Sequence, residues 1–178
     1  MDKLNHTAYL IFTPQALLKI AKYNYVYSNV EWSGIAFFKL DKSNGIIDYV
    51  QVLDIYLMDV GSAFQTEFDS SNCNYFKYAV ENNLLDCGFG TIHSHNNMPV
   101  FFSDTDEKEL EITAQEREHY LSIVVNNNGN IIGRVTTKDF YKDSIVFLEK
   151  HSNPTIKYET IKYPYYQKCE LMNAAKIM

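Results

Sequence analysis

Apolar and polar positions alternate along this chain in short runs that predict strands and helices in turn. Residues 6–13, HTAYLIFT, form the first compact apolar run and are typical of a strand. A helix is predicted directly afterwards, with Thr13 as N-cap and Pro14 at the first helical position, where a missing N–H is harmless. Leu17 and Ala21 then recur at the spacing of a buried helical face. The first two predicted elements are therefore a strand and an amphipathic helix.

Two long runs of β-branched and aromatic residues follow, at 30–40 and 46–60. The turn cluster DKSNG separates them, so we expect them to pair as a hairpin. Residues 63–69 are a candidate for a further short strand.

A second helix is predicted over residues 71–88. Its expected N-cap is Ser70, Ser71 or Asn72, because short polar side chains accept hydrogen bonds from the first free N–H groups. Gly88 is expected to end it, since glycine readily adopts the left-handed conformation found after helices.

Four further elements are predicted in the second half of the chain. They are a short strand through His95, a helix near 104–118, a hairpin over 120–137 with NNNGN as its turn, and a strand within 140–150. Strands and helices are mixed without strict alternation. We therefore expect an α+β fold in which a mainly antiparallel, mixed sheet is flanked by helices.

Length and composition fit one soluble globular domain. With 178 residues and 46% hydrophobic residues, the chain can bury one proper core. We assign residues 1–150 to that domain and 151–178 to an aromatic-rich C-terminal extension, which we expect to pack on it. The sequence leaves the oligomeric state open.

Charge and cysteine content narrow the classes of partner and compartment. The net charge is −6, so direct binding of nucleic acid is not expected. No run approaches the ~20 apolar residues that cross a bilayer, and the N-terminus does not read as a signal peptide. The three cysteines form no CxxC pair, which favours reduced thiols. We expect a cytoplasmic protein without a membrane partner.

The stretch GTIHSHNNMPVFFSDTD, residues 90–106, has two interpretations. In the structural one, Ser103 and Asp106 form a capping box at the start of a helix, and the histidines simply end a strand. In the chemical one, His93 and His95 point to the same face of that strand, because residues two apart do so. Two imidazoles and one carboxylate are ligands that zinc accepts while leaving a fourth position open.

Three acidic residues lie close enough in sequence to supply the carboxylate. Asp106 is favoured, because the start of the following helix can bring it to the end of the strand. Asp104 and Glu107 remain alternatives, since spacing alone does not choose among them.

The pattern His93-x-His95, seven residues, Ser103, two residues, Asp106 resembles the H-x-H-x7-S-x-x-D signature of the JAMM (MPN+, JAB-domain) zinc metalloproteases. That family also has an upstream glutamate at a strand start, followed closely by glycine. Glu31-Trp-Ser-Gly34 resembles that element, and the order of elements agrees over about residues 6–145.

The resemblance implies an MPN/JAB-like domain with one Zn²⁺ held by His93, His95 and Asp106. It implies that Glu31 is the general base and that Ser103 stabilises the oxyanion. The expected function is a zinc-dependent metallopeptidase or isopeptidase acting on a protein or peptide, including a ubiquitin-like tail. The alternative is a catalytically idle MPN-type scaffold or interaction module.

Two features depart from the family pattern. Many members have proline directly after the second histidine, where this chain has Asn96. Members that cleave ubiquitin chains carry insertions around the site, and here the stretches after His95 and Asp106 are short. The second departure leaves the substrate open.

The remaining candidates have simpler interpretations. Trp32 is expected in the core, whereas the pair Phe101 and Phe102 could line a substrate groove or pack inside. Cys87 is expected to be a buried structural thiol. The other histidines are expected at the surface: His6, His119 and His151.

Overall fold

A computed structural model describes residues 7–62, 73–137 and 145–150. The described strands, in chain order, are β1 (Thr7–Phe12), β2 (Trp32–Ser43), β3 (Ile46–Val60), β4 (Gly88–Ser94), β5 (His119–Val125), β6 (Ile131–Thr137) and β7 (Ile145–Lys150). The described helices are α1 (Pro14–Val26), α2 (Asn74–Glu81) and α3 (Asp104–Glu116). None of these helices has the length and apolar character needed to cross a membrane. The strand expected at 63–69 and the extension at 151–178 lie outside the described residues.

The strands form one mixed sheet that closes into a barrel in the order β1-β3-β2-β4-β5-β6-β7. Neighbours are antiparallel in β3–β2, β2–β4, β5–β6 and β6–β7, and parallel in β1–β3, β4–β5 and β1–β7. The prediction of an α+β fold with a mainly antiparallel, mixed sheet is confirmed. Closure was not predicted: β1 lies between β3 and β7 and runs parallel to both.

The first helix begins as its sequence predicts. The Thr13 hydroxyl oxygen accepts a hydrogen bond from the Ala16 N–H at 3.2 Å, and Pro14 is the first helical residue. The Thr13 hydroxyl also donates to the Leu53 carbonyl at 2.5 Å, which fixes the helix start to β3. The Thr13 side chain therefore both caps α1 and joins the start of this helix to β3.

A smaller core cluster packs α2 against β2, and the larger one lies between the strands and α1. Trp32 is 0% exposed there, as predicted, and its ring meets Tyr23 edge-on at 5.2 Å between centroids. Its indole N–H donates to Asn24 at 2.9 Å, so the buried polar atom is satisfied. Trp32 thereby anchors the start of β2.

The second helix is shorter than predicted, and its predicted ends are wrong. The residue before it is Cys73, without a side-chain cap, and Gly88 is the first residue of β4. The helix ends early because Asn83 adopts a left-handed conformation, with φ 56°. The Leu84 N–H bonds to the Ala79 carbonyl at 2.8 Å, which is the pattern of a Schellman motif.

Candidate metal centre

The two histidines stand at the end of β4, which lies between β2 and β5. His93 is paired with Ser33 of β2 and with Val124 of β5. His95 follows the strand, and its N–H bonds to the Val125 carbonyl at 2.9 Å, which extends the contact with β5. The Nε2 atoms of His93 and His95 are 3.1 Å apart. The sheet therefore directs both rings to one point, as the spacing predicted.

Asp106 reaches the same point from the first turn of α3. Its Oδ2 accepts hydrogen bonds from the Ser103 N–H at 2.7 Å and from the Ser103 hydroxyl at 2.6 Å. Its Oδ1 lies 3.7 Å from Nε2 of His93. The two carboxylate oxygens of Asp106 thus make different contacts: Oδ2 completes the predicted capping box, and Oδ1 faces the histidines.

The three side chains fit a zinc ion. One ligand atom from each of His93, His95 and Asp106 can be chosen so that all lie within 4.8 Å of one another. Ligands at ~2.0–2.1 Å from a tetrahedral zinc are separated by about 3.3–3.4 Å. The measured 3.1 and 3.7 Å bracket that separation. Of the alternative carboxylates, Asp104 is exposed and Glu107 pairs with Arg134.

Each of the two rings presents a nitrogen atom that can bind a metal. Burial lowers the pKa of His93, partly opposed by the Asp106 carboxylate and assisted by His95, which favours a neutral ring. Nδ1 of His95 lies 3.2 Å from the Pro99 carbonyl oxygen. Because a carbonyl oxygen only accepts, that nitrogen must carry the proton. The lone pair of the neutral ring is then on Nε2, the atom that faces the cluster.

Glu31 lies beside this cluster because of strand register. Ser33 is opposite His93 in the antiparallel β2–β4 pair, so two residues further along Glu31 comes opposite His95. Glu31 is 6% exposed, and its main chain bonds to Gly61 and Ser62 beyond β3. The Glu31 side chain is therefore largely removed from solvent, at the side of the cluster.

The charges around Glu31 belong to the same cluster. Burial raises the pKa of Glu31 above 4.5; attraction to the His95 ring in its protonated form opposes this rise, and the Asp106 carboxylate adds to it. A buried carboxylate with a raised pKa beside potential metal ligands is the kind of group that occurs at active sites.

Gly34 is required by the close approach of β2 to β3. The register of this pair shifts between Ser33 and Gly34, and a Cβ on Gly34 would overlap the Tyr56 carbonyl oxygen. The glycine that follows the glutamate thus permits the bulge within the β2–β3 pair, at which the register skips Met58 of β3.

Phe101 and Phe102 lie in different surroundings. The Phe101 ring is 49% exposed and meets the His95 ring edge-on at 4.7 Å between centroids. Phe102 lies beneath the Arg134 guanidinium, 4.4 Å from its ring centroid. Only Phe101 of these two forms part of the rim of the cluster.

The other candidate residues lie away from the cluster. Cys87 is half-buried just before β4, at the end remote from His93. His119 begins β5, and its Nδ1 lies 3.3 Å from the Thr136 carbonyl oxygen. His6 and His151 lie outside the described residues.

Two supporting residues were missed by the sequence interpretation. The Ser94 hydroxyl accepts a hydrogen bond from the Trp32 N–H at 3.0 Å, which ties Glu31's neighbour to the residue between the histidines. Strand alternation would have placed Ser94 on the opposite face from His93 and His95. No pattern in the sequence singles out Asn126, because its place next to His95 depends on the pairing of β4 with β5.

The sequence matches no protein-family model, and no curated protein matches it significantly. Among solved structures, the fold is similar to the solution structure of protein DSY2949 from Desulfitobacterium hafniense, with a TM-score of 0.53 and 14% sequence identity. The match covers 81% of this chain and 95% of that one. At this identity the likeness shows a shared fold alone.

Proposed function

We propose that residues 1–150 form a zinc-dependent metallopeptidase or isopeptidase domain of the JAMM/MPN+ type. One observation carries the proposal. A buried carboxylate, Glu31, lies beside three potential zinc ligands, His93, His95 and Asp106, of which Oδ1 and both Nε2 atoms face one point. A scaffold does not require a buried carboxylate at that place.

His93, His95 and Asp106 would hold the metal. When bound, zinc supplies a Lewis acid that polarises a carbonyl group and lowers the pKa of water. Ser103 keeps the Asp106 carboxylate oriented by two hydrogen bonds to Oδ2, and Pro99 keeps the His95 ring oriented through Nδ1. These supporting bonds leave the ligand atoms directed at the cluster.

Glu31 acts as the general base and then as the general acid. Its carboxylate accepts a proton from the attacking water and afterwards gives that proton to the departing amine. Burial favours the protonated form, since it raises the pKa. A raised pKa therefore assists the first transfer, because a more basic carboxylate accepts the proton of water more readily, and it keeps that proton on Glu31 until the amine departs.

Ser103 can stabilise an oxyanion only if its hydroxyl proton changes direction. In this structure its hydroxyl proton is donated to Oδ2 of Asp106 at 2.6 Å. Donation to an oxyanion requires that this proton turn away, after which the Ser103 N–H still holds the carboxylate at 2.7 Å. Stabilisation of the oxyanion by Ser103 remains a prediction.

The proposed substrate is a protein or peptide with an extended tail of small residues, such as a ubiquitin-like C-terminus ending in glycine. This substrate class follows from the resemblance in the sequence. The exposed ring of Phe101 beside His95 supplies an apolar contact for such a tail. The bond hydrolysed is a peptide or isopeptide amide.

Metal analysis and a hydrolysis assay test the proposal together. We expect about one zinc per chain in the native protein and none in His95→Ala. Glu31→Gln should retain zinc but lose hydrolysis of a Gly-Gly-aminomethylcoumarin peptide by about 10²–10⁴-fold. Absence of zinc from the zinc-supplied native protein would refute the proposal. Zinc binding together with equal hydrolysis by native protein and Glu31→Gln would favour the scaffold alternative.

A further inference from the structure

We propose that Asn126 is a positioning residue that sets the orientation of His95. The inference deepens the proposed function and rests on it, because it concerns the support of a proposed zinc ligand. Asn126 directly follows β5, and Val125 is paired with Ser94 in the parallel β4–β5 pair. Asn126 and His95 are therefore neighbours at the same end of adjacent strands.

Asn126 is 1% exposed, and its amide group bonds on both sides. Its Oδ1 accepts hydrogen bonds from the N–H groups of Asn128 at 3.1 Å and Asn130 at 3.0 Å. These two bonds hold the β5–β6 turn together. Its Nδ2 instead leaves the turn and donates to the Met98 carbonyl at 2.8 Å.

Met98 belongs to the tight turn that follows His95. The Met98 N–H bonds to the His95 carbonyl at 2.8 Å, so these two residues close the turn. The next residue is Pro99, whose carbonyl oxygen lies 3.2 Å from Nδ1 of His95. The bond from Asn126 thus fixes the peptide group that leads directly into the acceptor of the His95 ring.

A second contact prevents the turn from sliding along β5. The Asn127 N–H bonds to the Asn96 carbonyl at 2.7 Å, and its side chain donates to the Ser28 carbonyl at 2.9 Å and to the Asn97 side chain at 3.3 Å, the last an exposed contact. The buried hold of Asn126 on this turn comes from its side chain, whereas the shortest bond of Asn127 to the turn comes from its main chain. Substitution at 126 therefore removes the bond to Met98, and substitution at 127 leaves the main-chain bond to Asn96.

The geometry predicts different effects for substitutions of the two asparagines. Asn126→Asp keeps an oxygen for the turn N–H groups but loses the donor to Met98. Asn126→Ser is an uncharged second variant whose hydroxyl can accept from the turn but is too short to reach Met98. Asn127→Ala is the matched control, since it removes an adjacent amide side chain, with only an exposed contact to Asn97 in this turn, and leaves the main-chain bond to Asn96.

The tautomer of His95 is read in the metal-free protein by ¹⁵N–¹H correlation of labelled histidines at about pH 8, above the ordinary histidine pKa of ~6.5. Native protein and Asn127→Ala should both show His95 protonated on Nδ1. Asn126→Asp and Asn126→Ser should show a mixture of tautomers. We also expect zinc affinity to fall by about 10-fold in these two variants and to be unchanged in the control.

Each outcome decides the proposal. A native His95 protonated on Nε2 would overturn it even if no variant folds. So would a single Nδ1 tautomer in both Asn126 variants. Because the tautomer is measured without metal, it remains informative if the native protein binds no zinc, a result that would refute the proposed function separately.

Discussion

The N–H of Trp32 donates to the hydroxyl of Ser94 at 3.0 Å, and Ser94 is 1% exposed. This bond joins the residue after Glu31 to the residue between His93 and His95. It therefore couples the position of the proposed general base to that of the proposed ligands.

Replacement of Ser94 by alanine should weaken both stability and hydrolysis. The buried Trp32 N–H would lose its acceptor, which costs about 1–3 kcal/mol. We expect a smaller free energy of unfolding and slower hydrolysis, with zinc content near that of the native protein. Denaturant unfolding, metal analysis and the peptide assay measure the three quantities. The control is Ser122→Ala, at another buried serine in β5; equal hydrolysis by both variants would contradict the coupling.

Replacement of Asn96 by proline should disturb the metal centre, although many JAMM members have proline at this position. Asn96 has φ 46°, whereas proline holds φ near −65°. The turn after His95 would have to rearrange, and zinc affinity should fall by at least about 10-fold. Asn96→Gly accepts the native φ and should retain zinc. Competition with a chelator measures both affinities, and similar values for the two variants would show that this turn is not what supports His95.

Phe101→Ala should impair substrate binding more than the metal centre. Its exposed ring contacts His95 from the side, so its loss removes apolar contact without removing a ligand. We expect KM to rise by about 10-fold, since burial of an aromatic side chain contributes ~1.5–3 kcal/mol, and zinc content to stay constant. Phe76→Ala is the control, because Phe76 is also 49% exposed but lies on α2. An unchanged KM in Phe101→Ala would place the substrate elsewhere.

Glu109 should make stability depend on pH. Burial raises its pKa above 4.5, and nearby Asp106 adds to this, although the hydrogen bond from Tyr120 at 2.5 Å and the charge of Arg117 oppose the rise. The folded state then retains a proton that the unfolded state releases. The stabilisation is present below pH 4.5 and is lost as pH rises through the raised pKa.

Unfolding of the metal-free protein over a pH series tests this dependence. Relative to native protein, Glu109→Gln should lack the fall in unfolding free energy above pH 4.5, because its neutral amide oxygen can still accept from Tyr120. The exposed neighbour provides the control variant, Glu111→Gln, which should follow the native curve. Parallel curves for all three proteins would contradict the assignment.

Local patterns in the sequence predicted most of the elements. The run 46–60 coincides with β3, and Thr13 and Ser103 cap α1 and α3 as expected. Such features depend on nearest neighbours and on residue type. The predicted end of α2 was wrong because Asn83 adopts a left-handed conformation, which stops the helix. A pattern of apolar residues does not reveal that conformation.

The features that were not predicted depend on contacts between distant parts of the chain. The spacing left three acidic residues as candidate ligands, and only the packing of α3 against β5, the neighbour of β4, brings Asp106 within 3.7 Å of His93. The burial of Glu31 likewise requires the pairing of β2 with β4. Barrel closure requires β1 to join β3 and β7, a pairing between elements far apart in sequence.

Closure of the barrel limits how a substrate chain can be recognised. Many proteins bind extended peptides by strand addition, in which the peptide pairs with a free sheet edge. Here every described strand has a neighbour on both sides over at least part of its length. The edge that β3 leaves beyond Val52, where β1 ends, is occupied in part by bonds from Thr13 and Lys19 to its carbonyl groups. A tail that reaches the proposed metal site would cross the ends of β2 and β4, where the exposed ring of Phe101 is available to select its sequence.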